Sequence, residues 1–176
     1  MRFVSIKLKG AYVVEIEPRQ DERGFFARTF CSEEFARLGL VTTYAQCSVS
    51  YNERRGILRG MHYQADPKPE TKLIRCTAGA VHDVLVDLRR DSETYCQWVA
   101  VRLDAASRRL LYVPAGLAHG FQVLEDGSEV YYEISTPYEP GLARGVRWDD
   151  PAFGIEWPIA GPQLSARDAA FEDFQR

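Results

Sequence analysis

The sequence predicts an all-β fold, an antiparallel sandwich or barrel with short peripheral helices, and three observations carry that prediction. Nine short runs rich in Val, Ile, Tyr and Phe recur along the 176 residues, the composition that pleated, half-buried strands favour. Turn-forming residues separate the runs at fairly regular intervals, as an antiparallel architecture requires. Only one segment carries a persuasive set of helix signals.

In chain order, the first strand is YVVEIEP (12–18). The helix follows at SEEFARLG (32–39), with Ser32 as N-cap, Glu33 and Glu34 in its first turn, and Gly39 as its stop. YAQCSVSYN (44–52), GILRGMHYQ (56–64), TKLIRCT (71–77) and AVHDVLVDLR (80–89) are the next strands. The third and fourth read as a tight hairpin through Ala78 and Gly79. QWVAVRLD (97–104), RRLLYVP (108–114), HGFQVLE (119–125) and SEVYYEIS (128–135) complete the set. Asp126 and Gly127 between the last two form the strongest short-range hairpin signal in the chain. The tail LSARDAAFEDFQR begins with Ser165 placed to cap a short helix.

Composition bounds the function. At 45% hydrophobic and 27% charged, the chain has the make-up of one soluble domain spanning residues 1–176, able to bury a core without staples. No apolar run approaches the length of a membrane span. The first residues lack the apolar core and cleavage site of a secretory signal, which places the chain in the cytoplasm. The four cysteines are far apart without a CxxC pair, so they read as reduced structural thiols. A net charge of -3 supplies no basic field for nucleic acid. An anionic ligand would be held by local arginines and lysines.

Strand alternation then shows which polar side chains face inward. Lys72 shares a face with Ile74 and Cys76, His119 with Phe121 and Val123, and Tyr132 with Val130 and Ile134. Burying a lysine amine is costly unless it is paired, so three such residues converging on one interior point to a site. Taken singly, each also reads as a strand-end or snorkelling side chain. In RGILRGMHYQ, Arg59 and His62 fall on opposite faces, so both can line one pocket only if Gly60 introduces a bulge. His82 alternates with Val84, Val86 and Leu88 and reads as a core or strand-end histidine.

PAGLAHGF (114–121) matches the PxGxxH motif of the cupins at Pro114, Gly116 and His119, implying a double-stranded β-helix or jelly roll. Many cupins bind a metal through two closely spaced histidines and a glutamate, whereas GMHYQADPKPETKL offers His62 alone. A wider set of blocks covers nearly the whole chain: DERGFFARTF, RGILRGMHYQ, ETKLIRCTAGAVHDVLVDLR, LYVPAGLAHGFQVLED, EVYYEIS, GVRWDDPAFGIEWP and LSARD. Together they resemble the dTDP-4-dehydrorhamnose 3,5-epimerase family of nucleotide-sugar enzymes.

The resemblance implies a cofactor-free, metal-free epimerase of a nucleotide-linked 4-keto-6-deoxy sugar, acting through an enolate. It implies His62 as base, Asp168 as its partner, Lys72 near the sugar carbonyl and Tyr132 as proton donor on the opposite ring face. Arg59, His119, Tyr138 and Arg167 are implied to contact the substrate. Arg23 and Phe26 are implied to reach the nucleotide of a neighbouring subunit in a homodimer. The chain departs from the family pattern at Arg28, where an acid is expected, at Ser48, where the family's QxN element that begins at Gln46 reads QCS, and at Ala143, where a glutamate is expected. An inverted hydrogen-bonding requirement at Arg28 opens a CDP- or GDP-linked substrate as an alternative. A metal-dependent cupin oxygenase or isomerase and a non-catalytic sugar-binding jelly roll are the readings from other classes. Arg59 in a surface ion pair and Asp168 as a helix-start carboxylate are the corresponding structural explanations.

Overall fold

The structure, a computed structural model, describes residues 1–175. Its strands are β1 (Arg2–Ser5), β2 (Tyr12–Glu15), β3 (Arg19–Asp21), β4 (Gly24–Phe26), β5 (Gln46–Asn52), β6 (Leu58–Gln64), β7 (Lys72–Ala78), β8 (Ala80–Asp87), β9 (Trp98–Asp104), β10 (Leu110–Val113), β11 (Leu117–Val123), β12 (Ser128–Ile134) and β13 (Ala143–Gly145). Helix α1 (Ser32–Arg37) follows β4, and α2 (Ala166–Ala169) lies near the C-terminus. Each of the nine predicted strands forms within or overlapping its segment. The four missed strands, β1, β3, β4 and β13, are three or four residues long, too short to show a period of two.

Two antiparallel sheets face each other, one ordered β1-β2-β10-β7-β12-β5 and the other β13-β6-β11-β8-β9, with β3 and β4 forming a separate two-stranded ribbon. This is a jelly-roll arrangement. Between the sheets lie Ile74, Cys76, Val81, Leu85, Leu103, Leu111, Phe121, Val123 and Val130. Strands β8 and β11 are covered on both faces, since Val84, Val86 and Ala118 also pack outward beneath Phe153, Trp157 and Phe174 of the C-terminal segment. That double coverage explains why both strands read as nearly continuous apolar runs rather than alternating ones. His82 belongs to this outer layer, its ring edge-on to Trp157, and burial pushes its pKa down. The four cysteines are free thiols, and burial raises that of Cys76 to about 11. Among the described residues, no helix is long and apolar enough to cross a membrane.

Two of the expected hairpins are corrected. Gly79 and Gly127 do take the positive φ, 67° and 69°, that reverses a chain at low cost. Yet β7 pairs with β10 and β12 while β8 pairs with β9 and β11, so the turn at Ala78 and Gly79 passes from one sheet to the other. The turn at Asp126 and Gly127 likewise carries the chain from β11 to β12 in the facing sheet. The two corners touch: Ser128 Oγ accepts from the Ala80 amide at 3.1 Å. Turn chemistry dictates the reversal, whereas burial of two facing apolar surfaces decides which sheet receives the chain.

Helix α1 begins one residue earlier than expected. Cys31 is the N-cap and Ser32 the first helical residue, with no side-chain capping bond. Fully buried Phe35 packs against Phe3, Phe30 and Tyr112 on the outer face of the six-stranded sheet, and this docking sets the helix register over local capping preference. Gly39 ends the helix as expected, at φ 68°.

Candidate active site

Strand β6 shows how the fold builds the site. Against β11, His119 pairs with His62 and Phe121 with Arg59, so Gly60 and Met61 together face the single residue Gly120. Two residues opposing one is a bulge, and it turns Arg59 and His62 into the same cavity as the alternation argument required. Gly60 has φ 134°, and a Cβ there would lie 2.5 Å from the Gly120 Cα. Only glycine fits both the conformation and the approach.

The cavity has a volume of about 320 Å³ and is lined by Ser50, Arg59, His62, His119, Phe121, Tyr132, Ser165, Arg167 and Asp168. A smaller hollow beside it shares His62 and Arg167 and adds Glu70, Tyr138, Ala143 and Arg144. The C-terminal segment is brought in by backbone pairing with the start of β6: Leu58 N donates to Gln163 O at 2.9 Å and Gln163 N to Gly56 O at 3.1 Å. Gln122, buried in β11, holds Ile159 through both its amide groups. Ser165 then caps α2 by accepting from Asp168 N at 3.1 Å, and this cap sets Asp168 into the site.

His62 Nε2 lies 2.7 Å from Asp168 Oδ1, while Asp168 Oδ2 accepts from the Gly60 amide at 3.3 Å. Burial pushes the Asp168 carboxyl up, but the bonds from His62, Gly60 and Ser165 outweigh it and hold the group below the ordinary carboxylate range. With Nε2–H donated to that carboxylate, the imidazole lone pair sits on Nδ1. Phe171 packs edge-on to the His62 ring, and Gly145, paired with His62 across β13 and β6, leaves the space the Phe171 ring needs. The imidazole is thus buttressed through the Phe171 ring that packs on it.

Tyr132 reaches the cavity from β12, in the opposite sheet from His62. Burial, and then the Asp83 carboxylate, push its phenol well above the ordinary value, so it carries its proton at neutral pH. His119 stands beside it, ring centroids 6.0 Å apart, with Nε2 bonded to Asp83 Oδ2 at 3.0 Å. Asp83 was missed in the sequence, although it shares a face with Val81 and Leu85 and is fully buried. An acid in phase with two core residues was the available signal.

Lys72 is buried as expected but does not line the cavity. Its ammonium pairs with Glu70 at 2.9 Å and donates to the His62 carbonyl at 3.4 Å, so it sits directly behind the histidine. Gln46 and Ser48 also stand outside the cavity on β5, opposite Ile134 and Tyr132, and Ser50 of the same strand lines it instead. Arg23 and Phe26 lie on the β3–β4 ribbon, Phe26 77% exposed and Arg23 bound to Asp21. Arg28 is paired with Glu34 in a separate small hollow that Phe26 also lines. The two histidines each hold a carboxylate of their own, and among the described residues no group of three or more His, Cys, Asp or Glu converges to hold a metal ion. This donor arrangement does not fit a metal-dependent cupin centre.

Residues 5–176 match the family model described as dTDP-4-dehydrorhamnose 3,5-epimerase. The chain is 43% identical to the dTDP-4-dehydrorhamnose 3,5-epimerase of Methanothermobacter thermautotrophicus over 90% of this chain and 84% of that one. It is 38% identical to the dTDP-4-dehydrorhamnose 3-epimerase of Streptomyces niveus, over 96% of this chain and 81% of that one. The crystal structure of dTDP-4-dehydrorhamnose 3,5-epimerase from Bacillus anthracis, with TDP and PPi bound, superposes with a TM-score of 0.94 at 36% identity, covering 98% of this chain and 99% of that one.

Proposed function

The chain belongs to the dTDP-4-dehydrorhamnose 3,5-epimerase family and is therefore an isomerase, and we propose that it inverts C3, C5 or both of a dTDP-linked 4-keto-6-deoxy sugar. The observation that carries this reading is the His62–Asp168 pair on one sheet facing a protonated Tyr132 on the other across a single cavity. A carbon next to a ketone is acidified, and inverting it needs a base on one face and an acid on the other.

His62 takes the C–H proton onto Nδ1, the electron pair moves into the ring, and the oxygen at C4 becomes an enolate. Asp168 holds the imidazole in the tautomer that can accept and stabilises the imidazolium formed. Tyr132 then delivers its proton to the same carbon from the opposite face, the enolate collapses to the ketone, and exchange with solvent resets both groups. The Lys72 ammonium, paired with Glu70, favours the oxyanion through its positive field. Arg59 and Arg167 supply cationic groups to the diphosphate, and Tyr138 packs beside the sugar.

The first test is proton NMR of dTDP-4-keto-6-deoxyglucose with the protein in D2O. Deuterium entering at C3 and C5 with formation of the L-sugar is the expected result, and exchange at C3 alone defines a mono-epimerase. Absence of exchange at both carbons would remove the reading.

We also propose a homodimer in which Arg23, Phe26 and Arg28 on and beside the β3–β4 ribbon meet the nucleotide of the neighbouring subunit. The exposure of Phe26, with no packing partner within its own chain's core clusters, supports this. Phe26→Ala is expected to sediment as a dimer and to bind dTDP about tenfold more weakly, the scale of one truncated aromatic contact. Unchanged affinity would take the ribbon out of the site.

A further inference from the structure

Arg59 is held in the cavity wall by acceptors that carry no charge. Its Nε–H donates to Asn52 Oδ1 at 2.8 Å and its Nη2 to the Tyr51 carbonyl at 3.4 Å. Both of its hydrogen-bond partners among the described residues are therefore neutral. Asn52 is the last residue of β5 and 1% exposed, and its Nδ2 donates to the carbonyls of Ser50 at 3.1 Å and Ser128 at 3.2 Å.

Those carbonyls can only accept, so the amide has one workable orientation, with its nitrogen toward them and its oxygen toward Arg59. The side chain spans from the end of β5 to the corner that begins β12, two places that do not move independently. An aspartate of the same size could accept the same Nε–H bond. It would also neutralise the guanidinium and bury a charge beside two carbonyl oxygens.

We infer that Asn52 is a positioning residue, one that aims Arg59 into the cavity while leaving its positive charge for the substrate's diphosphate. The inference rests on the reading of Arg59 as a diphosphate ligand. It adds the reason an uncharged acceptor stands behind that arginine: preorganisation saves the entropy of ordering a long side chain when the anion arrives, and neutrality keeps the charge available.

The test is calorimetric titration of dTDP into the wild type, Asn52→Asp, Asn52→Ser and Arg59→Ala, with kcat and KM for each and a thermal melt to establish folding. Asn52→Asp keeps the acceptor and the volume, and Asn52→Ser shortens the side chain away from Nε. Both are expected to bind dTDP at least about tenfold more weakly, the scale of one hydrogen bond to a charged group, with the loss falling on KM more than on kcat. A purely structural residue would lower the melting temperature without that split. If both Asn52 variants bind dTDP like the wild type while Arg59→Ala does not, the inference is overturned and the role of Arg59 stands. If Arg59→Ala itself binds like the wild type, the diphosphate reading of Arg59 is overturned, and the inference with it.

Discussion

His62→Asn is expected to lower turnover by about a thousandfold, the middle of the range for a positioned general base, and to leave dTDP binding nearly intact. The nucleotide contacts proposed here come from Arg59, Arg167 and the neighbouring ribbon, none of which depends on the imidazole. Asp168→Asn is expected to lower turnover on a similar scale by another route. The amide would offer its own N–H to Nε2 and favour the tautomer with Nδ1 protonated, leaving no lone pair facing the substrate. The acid limb separates the two roles of Asp168. Its carboxyl is held below the ordinary range, so the pair contributes stability that is present above the unfolded carboxylate pKa and is lost as pH falls through the lower, folded value. Asp168→Asn lacks that dependence, which denaturant melts from neutral to acidic pH will show. Steady-state rates and deuterium exchange measure the catalytic part, and a variant of either residue that retained near wild-type exchange would rule the pair out as the base.

Gly60→Ala is the second large effect, and it acts first on the fold. The new Cβ would meet the Gly120 Cα at 2.5 Å and the His119 carbonyl at 3.1 Å, both backbone atoms that cannot swing aside. The φ of 134° is itself outside the range an alanine accepts cheaply. Strain and overpacking together are expected to cost about 3 kcal/mol or more, read as a shift in the denaturation midpoint at constant slope. Protein that still folds is expected to lose activity, because relieving the clash rotates Arg59 or His62 out of the cavity. Gly60→Ala with wild-type stability and rate would show that the bulge is not what brings the two residues together.

Much of the molecule was legible in one dimension. The inward faces of Tyr132 and His119 followed from alternation, since each sits in phase with residues that form the core between the sheets. The bulge at Gly60 followed from asking how Arg59 and His62 could share a cavity. Lys72 was correctly read as buried, but alternation says which face a side chain takes and nothing about who meets it there. Its partner Glu70 and the His62 carbonyl were invisible at that level. Asp83 is placed inward by the pattern of β8, in phase with Val81 and Leu85, but nothing local marks it as the partner of His119.

The hairpins show the same boundary from the fold side. Glycines at 79 and 127 announce turns because positive φ is a local property of a residue without a Cβ. Whether the next strand pairs with the last one or crosses to the facing sheet depends on where two apolar surfaces meet, and many residues decide that together. Helix α1 likewise starts where Phe35 can dock, one residue from where the capping preference of Ser32 would begin it.

By itself, then, the sequence determined what is local or periodic: the strands, the turns, the face each side chain takes, and the helix cap that Ser165 supplies beside Asp168. Only the tertiary structure decided which distant residues become neighbours. Asp168 lies 106 positions from His62 and reaches it because the Gln163 backbone pairs with the start of β6. The physical reason is range: dihedral preference and alternation act over a few residues, whereas a pair such as His62 and Asp168 forms when burial and backbone pairing close a loop of most of the chain.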